Sequence, residues 1–192
     1  PWLGVMPTFT VRSTQYGAQL AGSTLVSQSL RRTTGELTVD VRPPSLARVW
    51  QNGDTKWKHA VEPLFVYRYV RGVNAFGRFL RFDEIDTLTD TNEIEYGVTQ
   101  RFSRRKPGGG ADEVFSWRVA QKRYFDPTFN GAIVPGRRNV FQALNSITPY
   151  AFADSPRHFS PVVSDLRVTP GGRYDAQLRM DIDPVRRRIT AV

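Results

Sequence analysis

The amino-acid sequence predicts an all-β protein: an antiparallel meander of about seven strands forming part of a transmembrane β-barrel, with long extracellular loops and short periplasmic turns. Three observations lead there. Several segments alternate residue by residue between an apolar face and a charged one. The connections between those segments alternate between short and long. No uninterrupted apolar run approaches the roughly 18 residues of a membrane-spanning helix, pieces such as Pro63 to Tyr67 being among the longest. Helical spans are thereby excluded, whereas a barrel is not, because its strands average out to a polar composition.

Taken in chain order, Val5 to Tyr16 is strand-like with poor alternation. Next, Leu37, Val39 and Val41 oppose Glu36, Thr38, Asp40 and Arg42. From Lys56 to Tyr69 the odd positions Trp57, His59, Val61, Pro63, Phe65, Tyr67 and Tyr69 are mostly apolar and aromatic, while Lys56, Lys58, Glu62 and Arg68 occupy even ones. Ile94, Tyr96 and Val98 then oppose Glu93, Glu95, Thr99 and Arg101, and Phe115, Trp117 and Val119 oppose Ser116, Arg118 and Lys122. Val162, Leu166 and Val168 oppose Asp165 and Arg167. From Arg173 to Asp183 the pattern is again strict, with Tyr174, Ala176, Leu178, Met180 and Ile182 against Arg173, Asp175, Gln177, Arg179 and Asp181. A period of two with such unlike faces describes a strand between two solvents. The charged sets are the candidate lumen-facing residues and the apolar sets the candidate lipid-facing ones. The one helix candidate, Asn139 to Ile147, is short and uncapped.

Short connections carry turn chemistry: Pro43 to Asp54 with Asn52-Gly53, Lys106 to Asp112 with three consecutive glycines, and Pro170-Gly171-Gly172. Long ones run from Gly17 to Gly35, Arg71 to Thr91 and Asp126 to Ser160. Such lengths are uncommon inside compact soluble domains, and the short–long asymmetry belongs to outer-membrane barrels. With the short turns periplasmic, Trp57, Phe102 and Phe115 form an inner aromatic girdle and Tyr67, Tyr69, Tyr124 and Phe125 an outer one. The chain, residues 1–192, opens at Pro1 already in strand and reads as a fragment of a single barrel domain.

At 192 residues, 40% hydrophobic and 23% charged, the composition is that of an ordinary folded protein. There is no Cys and only His59 and His158, so thiolate and disulfide chemistry is excluded. A net charge of +9 suits nucleic acid, an anionic membrane surface or a phosphorylated glycolipid. Nucleic-acid binding would put stacked, exposed aromatics beside the basic residues, whereas here the two fall mostly on opposite strand faces. The clusters Arg104-Arg105-Lys106, Arg137-Arg138 and Arg186-Arg187-Arg188 read as solvated caps, with guidance of phosphates as the functional alternative. The acidic stretch Asp83 to Asp90 lacks EF-hand spacing and reads as a solvated loop. Glu93 and Glu95 share a strand face, but polar wall is the expectation over a catalytic pair. His59 beside Trp57 reads as interfacial, and Gly108-Gly109-Gly110 as a turn without a phosphate loop's setting. No nucleophile or zinc-hydrolase motif is present, so the expectation is no enzyme, cofactor or metal.

The stretch Lys58 to Val70, with His59, Glu62-Pro63 and the aromatics that follow, resembles the barrel signature of the LptD family of lipopolysaccharide-assembly proteins. Asp90 to Phe102 resembles that family's next strand, and Trp117 to Phe125, with Gln121 before Tyr124-Phe125, the one after. The resemblance implies part of the translocon that delivers lipopolysaccharide to the outer leaflet of the outer membrane. It implies as partners lipopolysaccharide, the LptE lipoprotein plug, the periplasmic Lpt bridge and outer-membrane lipid, with no nucleic acid. The family's periplasmic jellyroll, cysteines and lateral gate have no visible counterpart. Pro63 is at odds with an interior strand, since proline removes a ladder donor, and a local bulge is the expectation there. Two other readings stay open at this point: another outer-membrane porin or receptor barrel, and a soluble β-sandwich that binds anionic carbohydrate.

Overall fold

The computed structural model describes residues 2–81, 86, 88–134, 156–170 and 174–191. Its strands are β1 (Gly4–Tyr16), β2 (Gln19–Ala21), β3 (Thr24–Val26), β4 (Leu30–Arg42), β5 (Leu46–Asn52), β6 (Thr55–Arg71), β7 (Thr91–Arg105), β8 (Ala111–Tyr124), β9 (Val162–Val168), β10 (Ala176–Asp183) and β11 (Arg188–Ala191). Nine of them make one sheet, ordered β1-β4-β6-β7-β8-β9-β10-β11, with β5 also on β6; β2 and β3 form a separate two-stranded ribbon. Every pairing is antiparallel and the large sheet is open, with β1 and β11 as its edges among the described residues. It is one meander, not a sandwich of two packed sheets, which removes the soluble-sandwich alternative.

Four expectations need correction. The span Pro43 to Asp54 is not a turn but contains β5, and the turn itself is only Gly53-Asp54, with Gly53 at φ 57°. Alternation hid β5 because it sets Arg48 opposite His59 on the apolar side and Val49 opposite Lys58 on the charged side. The loop expected over 17–35 holds the β2–β3 ribbon and the start of β4, whose Leu30 pairs with Tyr16. The last long strand begins at Ala176 instead of Arg173, which lies outside the described residues, as do the helix candidate Asn139 to Ile147 and Arg137-Arg138. Arg188, read as part of a basic cap, opens β11.

Pro63 has a physical account, and it is not a bulge in its own strand. The β6–β7 register runs without a shift through Pro63 opposite Val98. On the other side, β4 pairs with β6 from Phe65 onward and β5 pairs up to Val61, which leaves Glu62 to Leu64 without a ladder partner. Pro63 is the middle residue of that gap. The irregularity belongs to the facing chain at Pro43-Pro44-Ser45, where four residues between Val41 and Leu46 face three between Phe65 and Val61. Proline is tolerated where the ladder is already interrupted.

The apolar cores sit beneath connecting segments, not between layers. Tyr16, Val73 and Phe79 form one cluster and Tyr124, Phe129 and Ile133 another, with Phe76 packed against both. Phe76 belongs to a short 3-10 turn, Phe76–Arg78. The chain enters that segment through Gly72, at φ 114°, where a Cβ would stand 2.2 Å from the Thr33 carbonyl oxygen. Only glycine fits there.

Candidate functional site

Residues directly opposite one another on antiparallel strands share a face, so the register sorts the side chains. One row across the sheet is Thr38, Arg68, Glu93 and Tyr124. The next is Asp40, Val66, Glu95 and Lys122, and nearer the short turns comes Glu62, Thr99, Arg118, Asp165 and Arg179. Lys58, Arg101 and Asp181 belong to the same face. The register thus brings together all the charged site residues proposed from sequence except Arg173, outside the described residues, and Asp175, which precedes β10 and accepts hydrogen bonds from Arg167. On the opposite face lie Trp57, Val61, Phe65 and Tyr67, then Ile94, Tyr96 and Val98, then Phe115, Trp117 and Val119, then Leu178, Met180 and Ile182. Tyr174 precedes β10 and is exposed.

Burial is inverted relative to a water-soluble protein. Arg32, Arg68, Glu93, Glu95, Lys122 and Asp181 are buried, while Phe9 is 72% and Phe65 40% exposed. Charged side chains are almost never buried unless paired, and these are paired. Lys122 Nζ lies 2.5 Å from Glu93 Oε1 and 3.9 Å from Glu95 Oε2. Arg118 Nη2 donates to Glu95 Oε1 at 3.1 Å, and Thr91 Oγ1 donates to Glu93 Oε2 at 2.8 Å. Arg68 Nε donates to Glu36 at 2.6 Å, and Arg101 bridges Glu62 and Glu113 at 3.1 and 2.8 Å. Arg179 meets Asp181 at 3.3 Å. Apart from Arg179–Asp181 and Thr91–Glu93, which lie within one strand, these contacts link neighbouring strands into a lattice of alternating charge. Glu93 and Glu95 each lie beside a cation, Glu93 beside Lys122 and Glu95 beside Arg118 and Lys122.

Near the long connections the charged face is covered, and sequence reasoning missed how. Buried Arg32 on β4 donates to the Asp86 carbonyl at 3.1 Å and meets its carboxylate at 3.5 Å, while Tyr16 donates to the same carboxylate at 2.6 Å. The Arg32 guanidinium also lies 5.2 Å from the Phe79 ring centre. In sequence Asp86 belongs to an acidic stretch with the character of a solvated loop, and no local pattern pairs it with a residue 54 positions earlier. Asp90 ties two segments together, accepting from the Val73 amide at 2.7 Å and from Asn130 Nδ2 at 3.0 Å.

The expected girdles are altered in one place. On the apolar face, His59 stacks on Phe102 at 4.1 Å and Phe102 meets Phe115 edge-on at 5.5 Å, while His59 also hydrogen-bonds Gln100. Tyr124 does not join an outer girdle: opposite Glu93 it points to the charged face and is fully buried against Phe129. Phe125, one residue on, is exposed. Among the described residues no group of three or more His, Cys, Asp or Glu is placed to hold a metal.

A single antiparallel meander that buries an ion-paired face and exposes an apolar one has the architecture of a membrane β-barrel wall. The particular family follows from comparison with family models: the model described as LptD, LPS transport system D, matches residues 1–192, the whole sequence. The chain belongs to the LptD family, a family of outer-membrane proteins that serves lipopolysaccharide transport and is not a family of enzymes. No curated protein matches it.

Proposed function

We propose that this chain is part of the wall of the outer-membrane translocon that delivers lipopolysaccharide to the outer leaflet. Its charged face lines the lumen, its apolar face meets lipid, and the short turns lie in the periplasm. The observation that carries this reading is the inverted burial, in a family whose cargo is an amphiphile with a phosphorylated head. A lattice in which Arg68, Arg101, Arg118, Lys122 and Arg179 each already have an anion offers a passing phosphate many weak contacts and no deep trap. That suits passage better than storage. The wall is passive, and the LptE plug and the periplasmic Lpt bridge are the partners the family implies.

The test uses the inner half of the sheet. A photoreactive phenylalanine analogue replaces Ser103, on the charged face opposite Lys58, or Phe102, on the apolar face opposite His59. Near the periplasmic end, lipopolysaccharide adducts in cells are expected from position 103 and not from 102. Adducts at both positions, or only at 102, would refute the lumen assignment.

A further inference from the structure

We infer that Arg123 and the apolar groove beside it form a lipid site on the outside of the wall. It would take a phosphate of a phosphorylated, acylated glycolipid of the outer leaflet on the guanidinium, and one acyl chain in the groove. The inference rests on the reading above for its direction, since the Arg123 end must face outward.

Arg123 is an exposed cation on the apolar face, opposite Ile94 on one side and bridged to Phe159 on the other. Its guanidinium lies 5.3 Å from the Phe125 ring centre and 5.9 Å from that of Phe159. Among the described residues no carboxylate comes within ion-pairing distance of it. Arg71, at the same end of the sheet, makes the contrast: it lies 4.0 Å from Asp90 and donates to the Tyr69 hydroxyl at 2.7 Å. An arginine at a membrane interface snorkels its head toward the headgroups while its stem stays in apolar surroundings. Held between two rings with no internal counter-ion, its planar fork is pre-organised for phosphate.

Inward from Arg123 along β8 the apolar face opens into a groove of about 370 Å³ lined by Phe65, Tyr96, Val98, Val119 and Val162. The polar atoms at its upper end are used internally, with the Tyr96 hydroxyl donating to Gln121 at 2.6 Å and Gln121 donating to the Ser160 carbonyl at 3.1 Å. What is left is apolar. Four residues separate Arg123 from Val119, roughly 13 Å along a strand and about 10 Å along the membrane normal at a barrel tilt near 40°, against an apolar band of about 25 Å. A phosphate on Arg123 therefore places an attached acyl chain alongside the groove.

The protein, purified in a neutral detergent, is titrated with lipid A and bound lipid is read by native mass spectrometry. Arg123→Gln is expected to weaken binding about tenfold, the loss of a charge-assisted phosphate contact. Arg31→Gln removes another exposed arginine, which donates to Ser13 Oγ and has no aromatic flank, and should change binding less than twofold. Dephosphorylated lipid A should bind the unaltered protein about tenfold more weakly, an arm that needs no variant. Equal affinity for lipid A with and without phosphate, equal affinity for phosphatidylglycerol, or equal effects of the two substitutions overturns the site. Direction is tested apart, with Gly109→Cys in the turn after β7 and a membrane-impermeant maleimide on intact cells. Labelling there overturns the orientation, whereas a protected turn with binding indifferent to Arg123 overturns the lipid site alone.

Discussion

If the apolar face meets lipid, a charge placed on it must cost more than a change on the charged face one residue away. Val61 and Glu62 make the comparison on β6. Pro63 lies midway between the aromatic ends Trp57 and Tyr69, which puts the membrane centre near the Pro63–Val98–Val119 row. Val61 is two residues from that row, about 7 Å along the strand and roughly 5 Å along the membrane normal at a barrel tilt near 40°. Val61→Arg should therefore cost about 2 to 3 kcal/mol, the near-midplane figure, and Trp57→Arg, at the interface, about 0 to 1 kcal/mol. Glu62→Gln removes one partner of Arg101, which keeps Glu113 at 2.8 Å, and the side chains of that network are about 40% exposed. A cost below about 1 kcal/mol is expected for such a pair. The assay is urea titration of protein folded into bilayers, with heat-modifiable gel mobility reporting the folded fraction. Equal costs for Val61→Arg and Glu62→Gln, a reversed order, or no decline from Val61 to Trp57 would refute the face assignment.

Lys122→Ala should cost about 3 to 5 kcal/mol in the same titration, because it leaves Glu93 and Glu95 buried with too little positive charge. Adding Glu93→Gln should recover part of that loss, and additive costs would show that the pair is not coupled. Gly72→Ala should destabilise the 72–81 segment by about 1 to 3 kcal/mol, since the residue must leave φ 114° or displace the Thr33 carbonyl; unchanged protection of the Val73 amide in hydrogen exchange would contradict this. The Asp126 carboxyl is pushed up by burial but held below its usual value by hydrogen bonds from the Thr128 hydroxyl and the Thr128 and Asn130 amides. A depressed folded pKa contributes stability that is present above the ordinary value and lost as pH falls through the folded one. Exchange of the Thr128 and Asn130 amides should accelerate below about pH 4, and Asp126→Asn should remove most of that acid dependence.

The fold class and the two faces were legible in the sequence because a strand's period of two needs no knowledge of its neighbours. Lys56 to Tyr69 and Leu178 to Ile182 announce two unlike solvents whatever they pair with. The same locality explains the failures. β5 breaks the alternation at Arg48 and Val49, so it vanished into a turn; Tyr124 was placed in a girdle by its type although its even position turns it toward Glu93. Only tertiary structure decided the rest, because register is a relation between distant segments. The pairing of Lys122 with Glu93, the cover of Asp86 over Arg32 and the gap that admits Pro63 each depend on residues brought opposite one another across tens of positions. Alternation sets which side a residue takes; what it meets there is set by the neighbouring strand.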